Sequence, residues 1–267
     1  MAKVETNGIT LSYEMFGDGP PLLLISGLGQ NRRAWLPALQ KLSKTFRCIT
    51  VDNRGTGSSS VPPGPYAIEE MADDMAGLID ALGYGPINVA GWSLGGSVLQ
   101  ALLIRHPDRV RRAVLVSTMP SYTELQHMWL DGWLAMRSSG ASSLAQTVSA
   151  MAWGLTERTL CDHVRTMEMA RAIISDPEPT SFEGFEAQAE GLRVYDSRSD
   201  LPQVSTSTLV LCGREDVLTP PKQSEEIASL IPGATLSLLE KGGHRMVAEY
   251  PNEVAAEIIK FLAEPHD

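Results

Sequence analysis

Between residues 87 and 107 the sequence passes from an apolar run, Ile87-Asn88-Val89-Ala90, through Gly91-Trp92-Ser93-Leu94-Gly95 into a second apolar run that Pro107 closes. The first run reads as a buried strand and the second, residues 98–104, as a buried helix. The pentapeptide between them must then be a sharp bend with Ser93 at its apex. Glycine suits positions 91 and 95, since a side chain at either would strike neighbouring backbone in so tight a turn. A hydroxyl at such an apex is pushed outward, with the free N–H groups of a helix N-terminus behind it. The same five residues could form an ordinary small-residue turn, and it is their place between a buried strand and a buried helix that singles them out.

The rest of the chain repeats this alternation. Ile9, Leu11 and Tyr13 alternate with Thr10, Ser12 and Glu14 after a turn at Asn7-Gly8, which predicts an antiparallel hairpin at a sheet edge. Residues 21–25, 46–51, 110–116, 208–213 and 235–239 are apolar runs of strand length, and helical patterns over 34–42, 71–82, 222–230 and 252–262 separate or follow them. Buried strands alternating with helices predict a mainly parallel sheet covered on both faces, with right-handed crossovers. The loop Asp52-Asn53-Arg54-Gly55-Thr56-Gly57-Ser58 lacks the Gly-Lys-Ser/Thr ending of a phosphate cradle and reads as a structural turn.

From Met119 to Asp200 the rhythm stops. No run there resembles a buried strand, and the stretch holds three of the five tryptophans and six of the eleven methionines. It reads as a helical insertion, 119–199, in a core made of 1–118 and 200–267, with a deformable apolar surface.

With 267 residues, 43% hydrophobic and 20% charged, the chain can bury a sizeable core. A formal net charge of −10 argues against nucleic acid as a partner. No apolar segment follows a positive start, and Arg105 and His106 interrupt the longest apolar stretch, so neither a cleaved signal nor a membrane partner is expected and a cytoplasmic protein is. Cys48 and Cys212 lie inside strand-like runs and read as small core residues; no spacing of the three cysteines suggests a metal site, and no motif asks for a cofactor.

A serine hydroxyl needs a base, most often histidine, within hydrogen-bond reach. Of the five histidines, His106 precedes Pro107, His127 and His163 fall in the insertion, and His266 is in the tail. Only His244 sits in a glycine-rich loop directly after a strand expected to be buried, where a parallel sheet places functional loops. A carboxylate must orient that imidazole. Asp216 follows another strand end in a turn held by Pro220 and Pro221, and is preferred to Asp200 and Glu215.

Gly91-Trp92-Ser93-Leu94-Gly95-Gly96, Gly213-Arg214-Glu215-Asp216 and Gly242-Gly243-His244 together resemble the α/β-hydrolase superfamily, in its form with a helical cap, over nearly the whole chain. The elbow is also that of pimeloyl-ester carboxylesterases, and the 52–58 loop resembles those of esterases, enol-lactonases and cofactor-free perhydrolases. The resemblance implies an eight-stranded, mostly parallel sheet with helices on both faces. It also implies an oxyanion hole from the backbone N–H groups of Leu28 and Leu94, the former in a loop that opens Ser26-Gly27 where many relatives have His-Gly. Haloalkane dehalogenases and epoxide hydrolases of this fold need aspartate at the elbow, so Ser93 argues against both.

The expected activity is hydrolysis of small to medium, uncharged carboxylic esters through an acyl-serine, in a pocket drawn from Trp92, Met119, Trp129, Trp133 and Trp153. Lactones, carbon–carbon bonds, thioesters and perhydrolysis are alternatives on the same residues, and a slowly turning-over ligand receptor is a further one. No cluster of arginine or lysine in the insertion points to an anionic substrate, although Arg137, Arg158, Arg165, Arg171 and Arg193, scattered in sequence, could converge in space.

Overall fold

The computed structural model describes residues 1–263; His266 lies outside them. The strands are β1 (Ala2–Thr6), β2 (Ile9–Phe16), β3 (Pro21–Ile25), β4 (Arg47–Val51), β5 (Ile87–Trp92), β6 (Val110–Val116), β7 (Thr208–Gly213) and β8 (Thr235–Leu239). Among the described residues they form one sheet in the order β1-β2-β4-β3-β5-β6-β7-β8. Pairing is antiparallel for β1 with β2 and for β2 with β4, and parallel from there on. Ile25 stands opposite both Val51 and Gly91, and Gly91 opposite Leu115, so the carboxyl ends of the central strands come out side by side.

The continuous apolar runs are explained by helices on both faces. Leu23 and Ile25 of β3 join one core with Val89, Leu115 and the helices α2 (Ile68–Ala81) and α3 (Leu94–Arg105). Leu22 and Leu24 join the other with Ala90, Val114 and the helices α1 (Leu36–Leu42) and α11 (Pro251–Ala263). A strand with a core on each side has no polar face to show. Cys48 and Cys212 are buried in β4 and β7, and burial pushes both thiols up to about 12, leaving them uncharged at neutral pH.

The last strand departs from expectation. β8 is at the sheet edge, paired only with β7, and its residues are exposed or half-buried. An edge strand with only one neighbour is not covered like the centre, so its apolar run reflects pairing rather than deep burial. The loop after it still leaves at the carboxyl edge, because β8 is parallel to β7.

Between β6 and β7 come α4 (Glu124–Ser138), α5 (Ser143–Gly154), α6 (Glu157–Cys161), α7 (His163–Ile174) and α8 (Phe182–Val194). Each starts on a residue whose side chain accepts a backbone N–H of the first turn: Thr123, Ser142, Thr156, Asp162 and Ser181. Thr123 and Gln126 close a reciprocal capping box. The methionines of this stretch divide: Met119 and Met151 are buried, whereas Met128 and Met167 face outward. After β7 follow α9 (Pro221–Leu230) and, beyond β8, the short α10 (Met246–Glu249). No helix of the described residues is long and apolar enough to cross a membrane.

Candidate active site

Ser93 stands where β5 gives way to α3, with φ +56° and ψ −120°. A non-glycine residue held in such a backbone stores about 1–3 kcal/mol of strain, and the surroundings hold it there. The Ser93 N–H donates to the Val116 carbonyl at 2.9 Å, while the Ser93 carbonyl accepts from the Gly96 N–H at 2.8 Å and the Thr118 hydroxyl at 2.8 Å. A β-carbon at Gly91 would lie 2.2 Å from the Gly95 carbonyl oxygen, and one at Gly95 would lie 2.3 Å from that of Ile25. Backbone cannot give way as a side-chain tip can. Gly95→Ala is therefore expected to destabilise the fold by at least about 1–3 kcal/mol, read as a lower Tm in thermal unfolding; an unchanged Tm would contradict this packing.

His244 and Asp216 meet Ser93 at the same rim. Ser93 Oγ lies 2.9 Å from His244 Nε2, and His244 Nδ1 lies 3.2 Å from Asp216 Oδ2 and 3.0 Å from Thr219 Oγ1. All three chain-distant residues are buried. An ionised carboxylate only accepts, so Nδ1 carries the proton and Nε2 offers its lone pair to the serine O–H. Asp216 is aimed by the N–H groups of Leu218 and Thr219, which donate to Oδ1 at 3.0 and 2.8 Å, and by the Thr219 hydroxyl on Oδ2 at 2.8 Å. Neither Asp200 nor Glu215 bonds to His244. Thr219 has no sequence signal beyond its place in the turn, since its role follows from where the imidazole arrives.

The His244 loop has a second anchor that sequence reading misses. Glu249, fully buried at the end of α10, accepts the Gly243 N–H at 2.9 Å and the Thr156 N–H at 2.9 Å, and also the Thr156 hydroxyl. It ties the loop to the start of α6. From the other side Trp92 donates its indole N–H to the His244 carbonyl at 2.8 Å.

The loop after β3 comes up against Ser93: a β-carbon at Gly27 would sit 3.2 Å from Ser93 Cβ. Its Gln30 N–H donates to Gly27 and its Gly29 N–H to Gln188 Oε1, whereas the Leu28 N–H meets no acceptor among the described residues. Leu94 opens α3, so its N–H also lies outside the helix ladder. Where many relatives have His-Gly, the Ser26 hydroxyl donates to the Asn31 carbonyl at 3.0 Å and the Ser26 carbonyl accepts from Asn53 at 3.1 Å, which steadies this loop. The 52–58 turn is structural: Asp52 accepts from the N–H groups of Arg32 and Ser58, and Arg54 pairs with Asp74 at 2.6 Å. Gln188 bridges it to the Leu28 loop, donating to the Arg54 carbonyl at 2.7 Å.

Above Ser93 lies a cavity of about 800 Å³ between the strand ends and the insertion helices. Leu28, Trp92, Met119, Trp129 and Trp133 line it, with Tyr122 and Phe185, which the sequence does not single out. Trp129, Trp133 and Phe185 form a run of rings with centroids 6.0 Å apart at each step. Trp153, expected in the pocket, lies outside it. It is half-buried and not on the cavity wall. Thr147, Ala150 and Gly154 face the cavity from α5, and Trp153 is turned from Gly154 by about 100° of helix. The wall also carries Arg137 and Arg245, so it is not purely apolar. Elsewhere His106 pairs with Asp73 and His127 packs on Tyr122. Among the described residues no three His, Cys, Asp or Glu side chains are grouped to hold a metal ion.

The sequence matches the family model described as alpha/beta hydrolase fold over residues 20–250. The chain belongs to the alpha/beta hydrolase fold family. It is 30% identical over 248 residues, 90% of each chain, to a Caulobacter segnis protein named as a carbamate hydrolase, RutD. The structure superposes on the enol-lactonase of Burkholderia xenovorans LB400 with a TM-score of 0.88 and 29% identity, covering 98% of this chain and 100% of the other. It also superposes on a thermophilic esterase of Thermogutta terrifontis, covering 98% of each chain, with a TM-score of 0.86 and 31% identity. Hydrolysis is the activity that the alpha/beta hydrolase family match and these relatives support. In this member, a hydroxyl, an imidazole and a carboxylate stand in a hydrogen-bonded row at the floor of a roomy cavity, beside two N–H groups free to face an anion.

Proposed function

We propose that this hydrolase cleaves carboxylic esters through an acyl-enzyme on Ser93. The observation that carries the reading is the 2.9 Å contact of Ser93 Oγ with His244 Nε2, with Asp216 on the other ring nitrogen. His244 takes the hydroxyl proton as Oγ bonds to the ester carbon, and the carbonyl electron pair moves to oxygen. The N–H groups of Leu28 and Leu94 face that oxyanion, each worth about 3 kcal/mol of barrier. The oxyanion then collapses, the bond to the alcohol oxygen breaks, and His244 returns the proton to the leaving alcohol. Water, activated by the same imidazole, repeats the sequence on the acyl-serine. In this reading residues 119–199 act as a cap over a core of 1–118 and 200–267.

The rings of Trp129, Trp133 and Phe185 support a small to medium carbon chain on the substrate. Lactones are cyclic esters and enter the same steps, in keeping with the lactonase named among the relatives. The net charge of −10 supports a small-molecule substrate without nucleic acid, and the three free cysteines support a reducing, cytoplasmic setting. No step calls for a cofactor. The test is a panel of p-nitrophenyl acetate and butyrate, a γ-lactone, a thioester, a β-diketone, and acetate with peroxide. Saturable release of nitrophenolate, faster than reaction on the thioester, diketone or peroxide, is expected; turnover confined to one of those three would overturn the ester reading.

A further inference from the structure

Two arginines face the cavity without an acidic partner among the described residues. Arg245 directly follows His244, and its stem lies along α5, where a β-carbon on Gly154 would come within 2.6 Å of its Cγ. Its guanidinium carbon is 5.8 Å from the centroid of the Trp92 ring, and Trp92 adjoins Ser93. The Arg245 Nε is shut away from solvent and donates to nothing, and no carboxylate of the described residues pairs with the group. Burial alone acts on it and holds its pKa below the usual arginine value. On the cap side, Arg137 lies 4.5 Å over the Phe185 ring and donates to the Thr180 carbonyl at 2.9 Å, again with no acid opposite.

The local charge runs against that of the whole chain. At a net −10, this protein nevertheless lines the cavity with Arg33, Arg137 and Arg245 against, among the described residues, Asp176 alone, and Asp176 is already shared between Asn31 at 2.8 Å and Arg33 at 3.9 Å. Arg245 and Arg137 are each half-buried, so each guanidinium is partly stripped of water without a counter-charge, a cost that a cation–π contact at that range offsets little. An anion entering the cavity removes the cost, and the planar fork of arginine fits a carboxylate through two parallel N–H···O bonds.

We propose that the substrate carries a free carboxylate as well as the ester, and that Arg245 binds that carboxylate while the ester carbonyl lies at Ser93. This rests on the ester-hydrolase reading above and replaces the uncharged substrate expected from the tryptophans and methionines of the insertion. A half-ester or lactone of a dicarboxylic acid is the substrate class it describes.

Binding to the full-length Ser93→Ala protein, read by calorimetry at low salt, separates charge recognition from turnover. Monomethyl glutarate is expected to bind at least about tenfold more tightly than dimethyl glutarate, as a charge-assisted pair would give. Arg245→Met in the same background should erase the difference, and Arg245→Lys should keep part of it. Equal affinities in Ser93→Ala, or a preference that survives Arg245→Met, would overturn the proposal; if the methionine variant does not fold, the first comparison and the lysine variant still decide. Should the parent bind monomethyl glutarate with this preference and never cleave it, the carboxylate site stands and the ester reading falls.

Discussion

Ser93→Ala is expected to lower kcat/KM for p-nitrophenyl butyrate by about 10⁴-fold or more while leaving thermal stability almost unchanged. The two halves of this result come from different parts of the structure. The hydroxyl is the group that bonds to the ester carbon, and among the described residues no other hydroxyl is within hydrogen-bond reach of His244 Nε2. The bend that presents it is held by backbone bonds to Val116, Gly96 and Thr118, which alanine leaves in place. A methyl group at φ +56° is strained no more than a hydroxymethyl group there. Residual hydrolysis would come from the free N–H groups of Leu28 and Leu94 and from the cavity itself. Equal rates for parent and variant would remove Ser93 from the reaction.

Asp216→Asn should cost nearly as much, about 10⁴-fold in kcat, although it changes one atom and barely alters volume. A carboxylate facing Nδ1 fixes the proton there and leaves Nε2 free to take the serine proton, and it also favours the imidazolium formed in the transition state. An amide can present its NH₂ to Nδ1, which turns the tautomer round and points an N–H at Ser93. Thr219 shares the contact, at 3.0 Å from Nδ1 and 2.8 Å from Asp216 Oδ2, but a hydroxyl carries no charge to balance the imidazolium. Thr219→Val is accordingly expected to lose only about tenfold, the size of one neutral hydrogen bond. Comparable losses for Asp216→Asn and Thr219→Val would mean that the aspartate only positions the ring. The measurement is kcat on the same ester, with the imidazole proton resonances showing which nitrogen is protonated.

The parts of this molecule that can be read from its sequence are those set by local pattern. Runs such as Leu22-Leu23-Leu24-Ile25 signal a strand with a core on each face, and the cores found on both sides of β3 account for these four residues. Ser93, Asp216 and His244 stand out because each follows a strand, and parallel strands that end together bring such positions to one rim. The apolar run of β8 reads as buried yet lies at an edge, because pattern reports what a strand can pack against and not how many neighbours it has. Trp153 fails as a pocket residue for a narrower reason: composition marks a helix as apolar, while the phase of α5 decides which side chains turn inward. Thr219, Glu249 and Gln188 are beyond sequence reasoning of this kind, since each acts by joining segments far apart in the chain. Arg245 shows the limit most plainly. Next to His244 in sequence, it looks like one more charged residue in a loop; only the cavity shows that its charge has no acidic partner among the described residues.

The claim on which the chemistry depends is that Ser93 Oγ forms a covalent bond to the substrate. Treating the parent with a p-nitrophenyl alkylphosphonate, then locating the modified residue by peptide mass spectrometry, tests it most directly. The account predicts one phosphonyl group per chain, on Ser93, with esterase activity falling in step and no labelling of Ser93→Ala. A label on any other residue at full inactivation, or full activity with Ser93 occupied, would contradict it.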